Sequence, residues 1–136
     1  MDMVSFYQQM INPPSPWRVS RVELHAHIKR VDIWLEHDPG TRFVCPKCKE
    51  VCPTYDHVAE RSWRHLDTCD YETWLHARIP RVDCDEHGIT QTAAPLSEDS
   101  SKLTVAMERR CIDTLSECSR EGTARLTGLS WDEVDT

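Results

Sequence analysis

Apolar and polar residues alternate along two neighbouring stretches near the start of the chain. The apolar positions of this alternation are Val22, Leu24, Ala26, Val31, Ile33 and Leu35. A period of two predicts two strands, which turn near residues 29–30. Residues 38–40, Asp-Pro-Gly, are turn residues and predict the end of the second strand.

The same reasoning predicts a second hairpin further along the chain. Residues 62–66 and 71–79 are predicted to pair around a turn at 67–70. Trp63 and Trp74 are large enough to supply much of a small core. The stretch before residue 61 is interpreted as a loop, and the polar stretch 89–100, which contains Pro95, is interpreted as a linker.

The periodicity changes to a helical one after residue 102. Apolar residues recur at helical spacing at Leu103, Met107, Cys111, Leu115 and Cys118. This pattern predicts an amphipathic helix, with Ser101 or Thr104 as its N-cap. A break at residues 119–122, a second short helix, a turn at Gly128 and the start of a third helix follow.

These elements predict an α+β fold, in which a small β-rich, zinc-ribbon-like domain precedes a helical segment. The predicted boundaries are an N-terminal arm over residues 1–20, a β-rich domain over 21–96 and a helical segment over 97–136. The arm contains three prolines, and one short helical turn is expected there.

The cysteines change this picture from a generic small domain to a metal-binding one. The chain has seven, an odd number, and its N-terminus shows no export signal, so a disulfide framework is disfavoured. Cys45-Pro-Lys-Cys48 and Cys84-Asp-Glu-His87 form two short ligand pairs on separate turns. Structural zinc prefers four tetrahedral ligands of this kind. We therefore predict one structural Zn²⁺ held by Cys45, Cys48, Cys84 and His87.

Other interpretations of the cysteines remain open at this stage. The first pair can be a thiol pair without metal, or the cysteines can be ordinary buried residues. Cys52 and Cys69 are reserve ligands, whereas Cys111 and Cys118 fit the apolar face of the predicted helix. The other histidines are interpreted as surface or strand residues. A catalytic metal is disfavoured, because four protein ligands leave no open coordination position.

Charge and hydropathy limit the partners. The net charge of −7 disfavours a phosphate-binding surface over the whole chain, yet residues 42–82 carry seven basic side chains against six acidic ones. No stretch reaches the roughly 18 apolar residues of a membrane span. We expect a cytoplasmic protein.

Residues 123–134 have the pattern of a helix-turn-helix. Ala124 precedes the turn glycine Gly128 by four positions, and Val134 follows it by six. In such a unit the small residue lets two helices approach and the second helix enters the major groove. The alternative is a helical hairpin that packs on itself.

Taken in order, these motifs resemble the N-terminal part of ISL3-family transposases, the family that includes IS204, IS1001, IS1096 and IS1165. The residues that carry the resemblance are Cys45-Pro-Lys-Cys48, Tyr55-Asp56, 61–67, 79–84, 84–88, the helix at Thr104 and 124–134. The resemblance runs from about residue 20 to residue 136.

The resemblance implies a zinc finger and a helix-turn-helix that together bind double-stranded DNA at the terminal inverted repeats of an insertion element. By analogy, the DNA-facing residues would be Arg61, Arg64, His65, Arg78, Arg81 and Arg125. In full-length members a DDE nuclease domain follows, and no carboxylate here matches it, so we expect no catalysis from this chain. Solvated strand faces are the alternative for each basic residue. A protein-interaction module that pairs with itself or with an intact transposase is the alternative function.

Overall fold

The structure is a computed structural model that describes residues 2–98, 101–130 and 133–134. Within these residues the chain runs α1 (Met3–Ile11), β1 (Arg18–His25), β2 (Arg30–Glu36), β3 (Phe43–Val44), β4 (Val51–Cys52), β5 (Thr54–His57), β6 (Arg61–Thr68), β7 (Tyr71–Ala77), β8 (Pro80–Cys84), β9 (Gly88–Gln91), α2 (Val105–Glu117) and α3 (Arg120–Thr127). Strands precede the last two helices, which confirms the α+β prediction. The domain boundaries remain predictions.

The main sheet has four strands in the order β1-β2-β7-β6. Its outer pairs are antiparallel hairpins, β1 with β2 and β6 with β7, as the alternation predicts. Its central pair, β2 with β7, is parallel and joins the two hairpins. One face of these strands is buried, including Val31, Ile33, Trp63 and Leu75.

The turn between β6 and β7 has two residues. Cys69 and Asp70 both have positive φ, at 48° and 69°, and Thr68 pairs with Tyr71 across them. Two left-handed central residues match the right-handed twist of the hairpin strands. Cys69 is exposed at this turn.

A second group of strands carries the cysteine and histidine pairs. β3 and β4 form a short hairpin, and β5, β8 and β9 form a three-stranded sheet. Two sequence interpretations are wrong here. The predicted loop before residue 61 contains β5, and the predicted linker begins with β9, because both segments supply backbone partners to the buried strand β8.

The N-terminal arm contains a full helix rather than one turn. Asp2 caps α1 by accepting a hydrogen bond from the Ser5 N–H at 2.8 Å, and Asn12 ends the helix in the left-handed conformation. Tyr7 is buried, and Val4 and Ile11 pack against the same core. The helix is therefore held to the main sheet by one apolar side.

The helical segment begins at the predicted cap. Thr104 Oγ1 accepts a hydrogen bond from the Met107 N–H at 3.2 Å, so Thr104 rather than Ser101 caps α2. Leu103, Met107, Cys111, Leu129 and Val134 form a second buried cluster. None of the described helices is long and apolar enough to cross a membrane.

Candidate metal centre

Two backbone turns position the predicted metal ligands. The first turn joins β3 and β4, where the Cys45 N–H donates to the Glu50 carbonyl at 2.8 Å and the Lys49 N–H donates to the Cys45 carbonyl at 2.8 Å. The second turn joins β8 and β9, and Cys84 pairs with Gly88 across it. Gly88 has a φ of 70°, a conformation that a glycine adopts without strain.

The structure brings the four side chains of these turns together. The three Sγ atoms and the His87 Nδ1 all lie within 4.8 Å of one another. Cys48 Sγ lies 3.6 Å from Cys84 Sγ, and His87 Nδ1 lies 3.5 Å from Cys84 Sγ and 3.8 Å from Cys45 Sγ. Within the described part of the chain, these four residues are the group of His, Cys, Asp or Glu side chains close enough together to hold a metal ion.

These distances fit one tetrahedral metal ion. Zinc bonds of about 2.3 Å to sulfur and about 2.0–2.1 Å to nitrogen give tetrahedral edges of about 3.8 Å for S···S and about 3.5 Å for S···N. The separations of 3.6 Å, 3.5 Å and 3.8 Å agree with these edges. The cluster is therefore consistent with one metal site of the Cys₃His type.

The electrostatics of the cluster favour a thiolate at its inner end. The backbone N–H of His87, then its side chain, and the backbone N–H of Glu86 lower the pKa of Cys84 to about 6. For Cys48, the N–H of Glu50 favours the thiolate, but burial and the neighbouring Cys84 and Cys45 outweigh it and raise the pKa to about 11. A divalent cation at the centre of the cluster would offset the effect of the neighbouring cysteines on Cys48, because metal ligation stabilises thiolates.

The remaining cysteines lie outside this group. Cys52 is buried beside it and donates its thiol to the Glu50 carbonyl at 3.4 Å, while Cys69 is exposed in the β6–β7 turn. Cys111 is buried on α2 as predicted, and Cys118 forms the C-cap of that helix.

Two of the predicted DNA-facing residues contact the helical segment; Arg64 is buried and His65 is half-buried. The side chain of Arg64 is 3% exposed, and its guanidinium contacts Asp67 and the end of α3. His65 Nδ1 lies 2.8 Å from Thr104 Oγ1, and burial lowers the pKa of His65. The sequence analogy placed both on a phosphate-facing strand surface, but the helical segment covers this part of β6. We therefore exclude Arg64 and His65 from the DNA-contacting set proposed below.

The other four predicted residues are more accessible. Arg61 is half-buried and donates to the Ser101 carbonyl at 3.3 Å, and Arg81 forms a two-point ion pair with Asp56. Arg78 is exposed, with its Nε donating to the Val58 carbonyl at 3.0 Å. Arg125 is exposed on α3.

The backbone after α3 follows the predicted turn. Gly128 has a φ of 74° and donates its N–H to the Ala124 carbonyl at 3.0 Å. Ser130 and Glu133 then exchange hydrogen bonds, Ser130 N–H to Glu133 Oε1 at 3.0 Å and Glu133 N–H to Ser130 Oγ at 3.2 Å. This reciprocal pair is a capping box, which begins a helix. The rest of the predicted third helix lies outside the described residues.

A polar network that the sequence analysis missed lies on the outer face of the main sheet. His76 Nε2 lies 2.6 Å from Asp32 Oδ1, and His76 Nδ1 lies 2.7 Å from Ser62 Oγ. Arg30 donates to both carboxylate oxygens of Asp32, which neutralises that group. The network links three adjacent strands. The alternation could have indicated it, since Arg30 and Asp32 both fall on the face opposite Val31 and Ile33.

Comparison with known proteins gives a consistent assignment for the metal-binding region. Residues 41–87 match the family model described as the zinc-finger of transposase IS204/IS1001/IS1096/IS1165, and this range contains all four clustered side chains. The matched range confirms the predicted resemblance for the zinc finger.

Two curated relatives are similar over a longer stretch. Both are described as the transposase for insertion sequence element IS1557, from the CDC 1551 / Oshkosh and ATCC 25618 / H37Rv strains of Mycobacterium tuberculosis. Each is 32% identical over 91 residues, which cover 66% of this chain and 20% of the relative. The chain therefore aligns with about a fifth of the length of these transposases. No solved structure matches the chain.

Proposed function

We propose, from the premise that residues 41–87 form a zinc finger of the ISL3 transposase type, that this chain is the DNA-binding portion of an ISL3-like transposase. In this proposal it recognises the terminal inverted repeats of an insertion element. The observation that carries the proposal is the coincidence of the matched range with the Cys₃His cluster. The chemistry of transposition is not proposed for these residues, because the match covers the zinc-finger region of the relatives.

The proposed metal is one structural Zn²⁺, bound by Cys45, Cys48, Cys84 and His87. Zinc supplies a tetrahedral crosslink between the β3–β4 and β8–β9 turns. Three of these residues are thiols, which as thiolates are soft ligands suited to zinc. The two buried cysteines, Cys45 and Cys84, anchor the site to the core, and His87 closes it at the surface.

The proposed DNA contacts come from cations on two parts of the chain; Arg78 and Arg125 are exposed, and Arg61 and Arg81 are half-buried. Arg81 lies on β8 of the three-stranded sheet and Arg78 just before it. Arg61 begins β6, and Arg125 lies on α3. Ion pairing with Asp56 weakens the case for Arg81, so Arg78 and Arg125 carry most of the proposal. The turn at Gly128 and the capping box at Ser130 support a helix-turn-helix, in which the second helix would enter the major groove.

Binding to duplex DNA is expected to weaken steeply with salt, since each neutralised phosphate releases condensed counterions. Zinc-loaded protein would first be used to select a duplex from a random-sequence pool. The affinity for that duplex would then be measured by fluorescence anisotropy across a salt series. Arg125→Met should make the negative slope of log K against log salt shallower by about one.

The matched control is Arg18→Met, which removes an exposed arginine that is ion-paired with Asp38 and lies outside the proposed set. This variant should keep the wild-type slope. A wild-type protein that selects no duplex even at low salt, or one whose binding ignores salt, would argue against the DNA-binding function.

The alternative is a zinc-stabilised protein-interaction module that pairs with itself or with an intact transposase. A specific observation favours it, namely that α1 exposes a second apolar stripe formed by Met3, Phe6 and Met10. These residues are spaced three and four apart and lie on one helical face. Concentration-dependent dimerisation in sedimentation, without affinity for any selected duplex, would support this alternative over DNA binding.

A further inference from the structure

Arg64 sits where the zinc-finger strands meet the helical segment. Its N–H donates to the Lys102 carbonyl at 2.9 Å, and its carbonyl accepts from the Thr104 N–H at 2.9 Å. Leu103 thereby forms a short parallel bridge with Arg64 immediately before α2. The backbone of this one residue in β6 thus aligns the start of the helical segment.

The side chain of Arg64 reaches the other end of that segment. Its Nη1 lies 3.5 Å from the Gly128 carbonyl and its Nη2 lies 3.5 Å from the Thr127 carbonyl, at the C-terminus of α3. A cation is favourable there, because the last carbonyls of a helix lack helical partners and carry partial negative charge. The guanidinium is also held by Asp67 at 2.7 Å and faces Glu72 at 3.6 Å.

The turn after α3 leaves room for this side chain. A Cβ added at Gly128 would lie 3.3 Å from Arg64 Nη2, and the positive φ of Gly128 already disfavours other residues. Glycine at this position therefore permits both the turn and the close approach of the arginine. With 3% of its surface exposed, Arg64 has no face available for a phosphate.

We propose that Arg64 is the positioning residue that fixes the α2–α3 helices to the zinc finger, so that the two parts form one rigid unit. As far as DNA is concerned, the inference rests on the proposed function. The two parts would then read one continuous duplex with a fixed spacing between their contacts. Arg64 acts on DNA through this geometry and makes no contact of its own.

An arginine is required for this role because it serves several partners at once. Its planar fork places separate N–H groups on Asp67 and on two helix-end carbonyls, whereas a lysine offers a single point charge. The adjacent apolar contact from β6 is Leu66, which packs against the second buried cluster. Leu66 holds α2 against the strand, while Arg64 sets the orientation of α3.

The first test measures, without DNA, whether the helices move together with the zinc finger. In ¹⁵N relaxation on zinc-loaded protein, the finger and helices of the wild type should tumble with one correlation time. In Arg64→Met the amides of α3, whose end the guanidinium contacts, should tumble separately and faster, while the finger keeps its zinc. Arg125→Met, which removes an exposed arginine from α3, is the matched control and should tumble as one body.

Arg64→Lys keeps the positive charge but loses the planar guanidinium. It provides a second measurement of tumbling if Arg64→Met does not fold. Separate tumbling in either variant supports the role of Arg64 in fixing the helices to the zinc finger. Single-body tumbling in every folded variant, or two correlation times in the wild type, overturns it. Neither result depends on whether the protein binds DNA.

The second test uses the duplex selected from the random pool. Arg64→Met should weaken binding on the order of tenfold or more with an unchanged salt slope, because two loosely joined modules bind with lower effective concentration. Unchanged affinity in a variant that tumbles as two bodies would overturn the proposal that the two parts bind one continuous duplex with a fixed spacing. A wild type that selects no duplex defeats the proposed function but leaves the tumbling result standing.

Discussion

Cys84→Ser is expected to remove zinc from the protein and to unfold the finger. Serine is a poor zinc ligand, and Cys84 is the buried thiol whose pKa is lowered to about 6 by the amides that surround it. Structural zinc contributes roughly 10–16 kcal/mol in zinc-finger peptides near neutral pH. Domains of this kind have a total stability of about 5–15 kcal/mol. The loss should therefore exceed what the apolar core alone can offset.

The measurement is metal content by mass spectrometry together with circular dichroism on the same sample. The wild type should contain one zinc per chain and the variant should contain almost none. Cys69→Ser is the matched control, since that thiol is exposed in a turn outside the cluster, and it should keep both zinc and fold. A folded wild type without metal would undo the zinc assignment.

Trp63→Ala is expected to destabilise the protein by about 3–5 kcal/mol, the range for removing a large aromatic side chain from a packed core. Trp63 is 2% exposed and packs in the core of the main sheet. Trp74 is the matched control. It lies on the opposite face, where the Arg30 guanidinium is 5.2 Å from its ring and its Nε1 donates to Glu72.

Urea denaturation of the zinc-loaded proteins gives both free energies of unfolding. Trp74→Ala should cost much less than Trp63→Ala, because its ring is only half-buried. Equal losses in the two variants would show that burial in this sheet does not determine the contribution of a tryptophan.

The sequence predicted the features that depend on local pattern. Alternation located both hairpins of the main sheet, and helical spacing located α2. The four side chains of the metal cluster were chosen from spacing alone, because each short pair occupies one turn and needs no knowledge of the rest of the fold. The two tryptophans were both expected in the core, yet alternation puts them on opposite faces, since Arg64 pairs with Trp74 and Trp63 with Leu75.

The features that the sequence did not predict depend on distant partners. The parallel pairing of β2 with β7 leaves no local signal, because neither strand borders the other in sequence. β9 is mostly exposed and shows no alternation, so only its pairing with β8 makes it a strand. Helix α1 was obscured by its two apolar stripes, which blur the period of a one-sided helix.

Arg64 shows the same limit at a single residue. In the sequence it is one of several arginines, and the resemblance to ISL3-family transposases implies that it faces phosphate. Its burial depends on a helix end more than sixty positions away, which local pattern cannot reveal.

The parallel pairing of β2 with β7 also bears on the order in which the chain is made. The first two cysteines leave the ribosome well before their partners, since the metal cluster needs residue 87 and the central strand pair needs β7. At typical synthesis rates of about 5–20 residues per second, the 39 residues from Lys49 to His87 take roughly 2–8 s. During that interval the site has only two of its four side chains, Cys45 and Cys48. The helices follow the finger in the sequence, so their contacts with β6 form only after its last turn has been made.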